Sequence, residues 1–194
     1  MGADYSKLAD ISDEDISSLY EGDNKTHFTK RQVQALKSKY LEILRQITRV
    51  EDMEAMFIKA LNIESIRLGS VIYKMMNEKG DDKLTFSEFV RGLDVFNESY
   101  DRMEKINKCM DAFDADNSKT ISIDEIINIL EMSLEGNPFL TFSRPQIEHV
   151  IHATYDHCQI PYDSELDSAE FRRLVDYCPA IIQCFDIDVT NLIG

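Results

Sequence analysis

A pattern of one aliphatic residue, a Ser, Thr or Asp directly after it, a glutamate four positions after it and then another apolar residue occurs three times in the chain. The copies are Leu84 with Glu88-Phe89, Ile121 with Glu125-Ile126, and Leu166 with Glu170-Phe171. In each copy a Ser, Thr or Asp stands three positions before the glutamate, which is the spacing of a helix capping box. The repeat therefore predicts several helix–loop–helix units, in which each second helix begins just after the aliphatic residue.

Apolar residues recur at three- and four-residue steps through several long segments. The first of these stripes runs from Phe28 to Ile47, and others cover residues 63–76, 103–113 and 147–155. This spacing is typical of amphipathic helices. Seven Gly and four Pro are few for 194 residues, which favours helices over a turn-rich β fold.

We therefore expect an all-α fold with two lobes, each built from paired helix–loop–helix units, and with short β contacts between paired loops. The predicted lobes cover residues 28–98 and 99–176. A polar arm at 1–27, mobile or weakly helical, precedes them, and a tail at 177–194 follows. A fourth, earlier unit between Tyr40 and Met56 has no recognisable loop.

The chain is strongly acidic, with a formal net charge of −15 from 36 acidic and 21 basic residues. This excess argues against nucleic acid as the main partner, because duplex binding requires clustered cations, and against direct electrostatic binding to an anionic membrane. It favours a cation or a basic, amphipathic partner. We find no catalytic nucleophile motif or phosphate-binding loop, and we expect a protein that is not an enzyme.

The first seven residues read Met1-Gly2-Ala3-Asp4-Tyr5-Ser6-Lys7, which matches the pattern for N-myristoylation at Gly2. One myristoyl chain gives only marginal membrane attachment. Four irregularly spaced cysteines without a secretory segment favour reduced thiols and a cytoplasmic location. No apolar run in the sequence is long enough to span a bilayer.

Residues 114–125 form a polar twelve-residue stretch between two amphipathic segments. Side-chain oxygens stand at positions 1, 3, 5, 9 and 12, and position 7 offers a backbone carbonyl. Hard oxygen ligands from one tight turn, ending in a bidentate glutamate, are what seven-coordinate Ca²⁺ requires. Here the sequence resembles the EF-hand family. The resemblance implies side-chain oxygens from Asp114, Asp116 and Ser118, the carbonyl of Thr120, a water-mediated contact through Ser122, and two oxygens from Glu125.

This loop departs from the EF-hand pattern at two positions. Ser118 stands where the pattern has Asp or Asn, and Lys119 stands where it has Gly. The second position has a left-handed backbone, which costs a non-Gly residue about 1–2 kcal/mol, and the ammonium group adds a positive charge beside the ion. We therefore predict one Ca²⁺ site of roughly micromolar affinity.

The two sister loops lack much of the ligand set. The loop 77–88 has Lys79 at position 3, and the loop 159–170 has Gln159 at position 1 and Pro161 at position 3. We expect both to serve as scaffolds, with a weak altered site at Asp163, Glu165 and Asp167 as an open alternative. Ile121 is predicted to pair with Leu166 in a β contact, and Leu84 with a residue near Ile47 or Val50.

The four units, the Gly2 pattern and the degenerate loops resemble the group of calcineurin B, calcium-and-integrin-binding and neuronal calcium sensor proteins. The segment Lys83–Phe89, leading to Gly92–Phe96, is typical of the second unit in that group. The interval Met53–Met76 and the end Ile181–Phe185 also resemble the calaxin family of axonemal dynein-associated calcium sensors. Members of that family usually keep more than one intact loop, which this chain lacks.

These resemblances imply two hypotheses for function. The first is a calcium-responsive regulatory subunit that binds an amphipathic helix of a phosphatase, channel, motor or scaffold. The second is a constitutive component of a ciliary or cytoskeletal assembly, since three of four loops are degenerate. Membrane-associated and ciliary or cytoskeletal locations accordingly stay open beside the cytoplasmic one.

The first hypothesis requires an apolar groove for the target helix. Its candidate walls are Met75, Met76, Phe89, Phe96, Met110, Phe113, Met132 and Phe171. The apolar run Pro179–Phe185 is predicted to fold back and fill this groove.

Overall fold

The computed structural model of the chain describes residues 6–22, 25–47, 52–81, 83–135, 139, 142–185 and 187–193. The helices in these ranges are α1 (Ser6–Ala9), α2 (Asp13–Ser18), α3 (Lys30–Gln46), α4 (Met53–Ala60), α5 (Ile66–Met76), α6 (Phe86–Asp94), α7 (Arg102–Phe113), α8 (Ile123–Leu134), α9 (Arg144–Cys158), α10 (Ser168–Tyr177), α11 (Ala180–Gln183) and α12 (Thr190–Ile193). Within the described ranges, β structure is limited to one isolated bridge. The prediction of an all-α fold is confirmed.

No helix in this part of the chain combines the length and apolar character needed to cross a membrane.

Capping boxes fix the starts of the helices that follow the three repeated loops. Thr85 and Glu88 cap α6, Ser122 and Glu125 cap α8, and Asp167 and Glu170 cap α10. In each box the first side chain accepts a hydrogen bond from the backbone of the glutamate, whose carboxylate accepts one in return. The helix starts predicted from the repeat are therefore confirmed.

Contacts divide the chain into two units. The N-terminal unit comprises Met1–Tyr100 and Ile187–Gly194, and the C-terminal unit comprises Asp101–Asp186. Helices α3 to α6 form most of the first unit, and α7 to α11 form the second. The short helix α12 packs against α3 and so belongs to the N-terminal unit.

An aromatic cluster lies at the centre of the N-terminal unit. The ring of Tyr40 lies 5.5 Å from the rings of both Phe86 and Phe89, and Phe57 lies 5.3 Å from Phe89. All four rings are buried, and each such pair contributes about 0.5–1.5 kcal/mol beyond its buried area. Gly92 brings α6 close to α5, because a Cβ at that position would lie 2.9 Å from the Met76 Cα.

The polar N-terminal arm is anchored to the same unit. Leu19 is fully buried, and its carbonyl accepts a hydrogen bond from the Thr26 backbone. The Lys37 ammonium group on α3 donates to the carbonyl of Ile11. The arm is therefore held in place by the burial of Leu19 and by these two hydrogen bonds. Its polar sequence alone does not predict this packing.

The C-terminal unit has a smaller aromatic core. The buried ring of Phe113, at the end of α7, lies 5.4 Å from the rings of Phe171 and Phe185. Phe171 lies on α10, and Phe185 follows α11. The core therefore connects the helix before the predicted calcium loop with the last helices of the unit.

One β bridge joins the two loops of the C-terminal unit. The Ile121 N–H donates to the Leu166 carbonyl at 2.9 Å, and the Leu166 N–H donates to the Ile121 carbonyl at 2.8 Å. The predicted pairing of these residues is confirmed.

The backbone of Leu84 makes hydrogen bonds with side chains, whereas its counterparts Ile121 and Leu166 pair with each other through their backbones. Its carbonyl accepts a hydrogen bond from the Tyr40 hydroxyl at 2.6 Å, and its N–H donates to the Met53 sulfur at 3.2 Å. The predicted bridge between Leu84 and a residue near Ile47 or Val50 stays a prediction, because residues 48–51 lie outside the described residues.

Candidate metal site

The loop 114–125 connects the end of α7 to the start of α8. Asp114 is the residue at the C-terminal end of α7, and Glu125 lies in the first turn of α8. The side chain of Asp114 is only 3% exposed, whereas Asp116 is exposed. The loop therefore begins with a buried carboxylate and ends with one held on a helix.

Three carboxylates converge within this loop. Asp114, Asp116 and Glu125 each place one carboxylate oxygen so that the three atoms lie within 4.8 Å of one another. Within the described ranges, this is the one group of three or more His, Cys, Asp or Glu side chains with that spacing. Three like charges at this distance repel each other unless a cation is bound among them. The hard oxygen donors fit Ca²⁺ better than softer metals.

Two left-handed residues give the loop its tight turn. Asn117 has φ of 59° and Lys119 has φ of 70°, so the predicted left-handed backbone at Lys119 is confirmed. The Ser118 N–H donates to Asp114 Oδ1 at 2.9 Å, and the Lys119 N–H donates to Asp114 Oδ2 at 3.0 Å. The turn thus wraps around the Asp114 carboxylate.

The predicted neutral ligands lie beside the carboxylates. The Ser118 hydroxyl lies 3.0 Å from the Thr120 carbonyl oxygen and 3.4 Å from Asp114 Oδ1. The Ser118 N–H also donates to Asp116 Oδ1 at 3.0 Å. Hydrogen bonds from the side chain and backbone of Ser118 lower the pKa of Asp116 below its usual value, which keeps this carboxylate ionised to lower pH.

Glu125 links the two ends of the loop. Its Oε1 accepts a hydrogen bond from the Ala115 N–H at 2.8 Å, and its Oε2 accepts from the backbone and hydroxyl of Ser122 at 2.8 Å each. The Ser122 hydroxyl in turn accepts a hydrogen bond from the Glu125 N–H at 3.3 Å and so acts as the N-cap of α8. Its water-mediated contact with an ion stays a prediction.

Lys119 is the one cation that the structure places beside these carboxylates in the described part of the chain. Its ammonium nitrogen lies 4.0 Å from Asp114 Oδ2, and its side chain is 75% exposed. Solvent screens a pair of this kind, which contributes little to stability. The positive charge still opposes a bound cation.

The loop 77–88 uses its polar groups for internal hydrogen bonds. The Asn77 side chain donates to the Asp81 carbonyl at 2.6 Å and accepts from the Gly80 N–H at 3.1 Å. Asp81 Oδ1 accepts from the Lys83 N–H at 2.9 Å. Asp82 lies outside the described residues. These hydrogen bonds stabilise the conformation of the loop, and its role as a scaffold stays a prediction.

The loop 159–170 also lacks a described cluster of carboxylates. Gln159, in the left-handed region at φ of 56°, ends α9, and Asp167 caps α10. Glu165 instead contacts the neighbouring loop, where its carboxylate accepts a hydrogen bond from the Thr120 hydroxyl. The repeat predicts the pairing of Ile121 with Leu166 but does not include the residues before them, so it does not predict this contact.

Five of the eight candidate groove residues lie in the core. Met76, Phe89, Phe96, Phe113 and Phe171 are buried, whereas Met75, Met110 and Met132 are half-buried. In the predicted plug, Ile181, Ile182 and Phe185 are buried within the C-terminal unit. The lipidation candidate Gly2 lies outside the described residues.

Known proteins with similar sequences are calcineurin B subunits. The calcineurin B subunit of Naegleria gruberi is 22% identical over 178 residues, which cover 91% of this chain and 94% of the relative. The Schizosaccharomyces pombe protein of the same name is 22% identical over 149 residues, covering 76% of this chain and 82% of the relative. A type 2 calcineurin B subunit of Dictyostelium discoideum is 26% identical over 100 residues, or 52% of each chain. No family profile matches the chain.

The chain is distantly similar to calcineurin B subunits. The similarity extends over most of its length, and the paired helices with a bridged loop pair are consistent with an EF-hand fold. Together they support an EF-hand, calcineurin B-like family.

Proposed function

We propose that the chain is a Ca²⁺-binding regulatory subunit, without catalytic activity, that binds an amphipathic helix of a partner protein. The observation that supports this function best is the convergence of Asp114, Asp116 and Glu125 within 4.8 Å. The similarity to proteins named as subunits supports a protein partner.

The residues that would hold the ion are the side chains of Asp114, Asp116, Ser118 and Glu125 and the carbonyl of Thr120. Ca²⁺ supplies a divalent charge that these oxygens share. Because Asp114 ends α7 and Glu125 begins α8, shared ligands couple the ends of two helices. Such coupling is how EF-hand sensors change the exposure of an apolar groove. Because the site has only three carboxylates and Lys119 adds a positive charge beside them, we expect a dissociation constant for Ca²⁺ of about micromolar.

Calorimetric titration of Ca²⁺ into the Glu125→Gln variant tests the site. Glutamine keeps a carbonyl oxygen that can cap α8, so the substitution removes the charge while preserving the helix start. We expect the affinity to fall by at least about tenfold. Glu170→Gln is the matched control, because Glu170 holds the same capping position on α10, and it should bind as the wild type does. Unchanged binding by Glu125→Gln would refute the site.

A constitutive structural component, ciliary or cytoskeletal, is the second candidate function. The internal hydrogen bonds of the loop 77–88 favour it, because they hold that loop in shape through Asn77 and Asp81. Binding of amphipathic helical peptides, measured with Ca²⁺ and with chelator, separates the two candidates. For a regulatory role, the peptide affinity should differ between the two conditions, whereas equal affinity identifies a fixed component.

A further inference from the structure

We propose that Glu165, in the loop that lacks its own ligand set, is a positioning residue for the Ca²⁺ site of the neighbouring loop. This inference rests on the proposed function. It assigns to the degenerate loop 159–170 a role in the affinity of the loop 114–125.

The β bridge brings the two residues into contact. Thr120 and Glu165 each directly precede a residue of the bridge between Ile121 and Leu166. The bridge fixes the separation of the two backbones, and the Thr120 hydroxyl donates a hydrogen bond to Glu165 Oε2. A hydrogen bond to an ionised acceptor is stronger than one between neutral groups.

Thr120 connects this carboxylate to the candidate ligands. Its carbonyl oxygen, one of those ligands, lies 3.0 Å from the Ser118 hydroxyl oxygen, and its own hydroxyl lies 3.2 Å from the same atom. The Ser118 hydroxyl lies 3.4 Å from Asp114 Oδ1. By holding the Thr120 hydroxyl, Glu165 fixes a residue whose carbonyl belongs to the ligand group.

Charge gives Glu165 a second effect in the same direction. The candidate site has three carboxylates, and the Lys119 ammonium group lies 4.0 Å from one of them. Glu165 adds a negative charge next to Thr120, which partly offsets the positive charge of Lys119. Because Glu165 is exposed, salt screens its charge, and this part of its effect should decrease as ionic strength rises.

Calorimetric titration of Ca²⁺ into the full chain tests the role of Glu165. At low ionic strength we expect Glu165→Gln to weaken binding about three- to fivefold, as for an exposed charge with one hydrogen bond. Asp163→Asn is the matched control, since Asp163 is an exposed carboxylate of the same loop, and it should stay within about 1.5-fold of the wild type. Equal weakening by both variants would show a general charge effect and overturn the proposal.

Variants of Thr120 test whether Glu165 acts through this residue. Thr120→Val removes the hydroxyl and keeps the shape, so it should weaken binding, whereas Thr120→Ser keeps the hydroxyl and should bind nearly as tightly as the wild type. The double variant Thr120→Val/Glu165→Gln should be weakened by less than the product of the single effects. Independent effects that simply multiply would overturn the proposal.

Two controls separate the possible failures. Thermal unfolding in chelator should be the same for the wild type and Glu165→Gln, which distinguishes an effect on ion binding from a loss of folding. Absence of Ca²⁺ binding by the wild type would refute the proposed function itself, and the role of Glu165 with it. If the wild type binds Ca²⁺ tightly and Glu165→Gln binds it with the same affinity, only the role of Glu165 is refuted, and the proposed function stands.

Discussion

Lys119 combines two features that EF-hand loops usually avoid at this position. Its backbone is left-handed at φ of 70°, and its ammonium group lies 4.0 Å from the Asp114 carboxylate. The first feature lowers the stability of the folded loop, and the second opposes a bound cation. Substitutions at this one residue can measure the two effects separately.

Lys119→Met should tighten Ca²⁺ binding about threefold, because it removes the charge and keeps a side chain on the strained backbone. Lys119→Gly should tighten binding to a similar degree and also raise the free energy of unfolding by about 1 kcal/mol, since glycine adopts positive φ without strain. Calorimetry and denaturant unfolding in chelator measure the two quantities. Equal stability of the two variants would contradict the strain argument.

Helix starts are the elements that the sequence predicts best. The capping boxes that begin α6, α8 and α10 depend on two residues three positions apart, so a local pattern contains all of the necessary information. The Ile121–Leu166 bridge was predictable from the repeat, because equivalent positions of two copies mark both residues.

Contacts between distant side chains could not be predicted from local patterns. The Tyr40 hydroxyl donates a hydrogen bond to the Leu84 carbonyl, and Glu165 accepts one from Thr120 in the neighbouring loop. Both contacts depend on how the helices pack. The three converging carboxylates were predictable as a set from their spacing, whereas the part played by Glu165 required the folded arrangement of the loops.

The end of the chain packs in both units. Residues 180–185 pack in the C-terminal unit, and α12 packs against α3 in the N-terminal unit. Ile187, Val189 and Leu192 are buried there. The segment 187–193 therefore covers apolar surface of the N-terminal unit.

Deletion of residues 187–194 should expose the surface of α3 and increase the fluorescence of a hydrophobic dye, because three buried aliphatic side chains are lost. Leu192→Ala should give a smaller increase, and Asn191→Ala, at an exposed position, should give none. Binding of an amphipathic peptide should rise in parallel. A truncated protein with unchanged dye fluorescence would show that the segment does not cover this surface.

Each of the two units contains a buried tyrosine in its core. Burial raises the pKa of Tyr40 in the N-terminal unit and that of Tyr155 in the C-terminal unit, and the carboxylates of Glu88 and Glu170 add to the respective shifts. The neutral phenol is therefore favoured in the folded state. We therefore expect the stability of both units to fall at alkaline pH.

The contribution of these tyrosines to stability should be complete below pH 10.0, the ordinary pKa, and should be lost as the pH rises above it. The unfolded chain then releases protons that the folded chain retains, at about 1.4 kcal/mol per pH unit for each tyrosine. Tyr40→Phe/Tyr155→Phe should flatten this dependence in denaturant unfolding. Tyr177→Phe, at a half-exposed position, should leave it unchanged, and an equal slope in all three proteins would contradict the argument.

The packing of α12 on α3 has a consequence for biosynthesis. Ribosomes synthesise residues 187–193 only after the whole of the C-terminal unit, yet these residues complete the hydrophobic core of the N-terminal unit. The first unit to emerge from the exit tunnel therefore acquires its final stability only after the second has been translated. During that delay the part of the apolar surface of α3 that α12 later covers is open to solvent, where a chaperone or a co-translationally recruited partner has access.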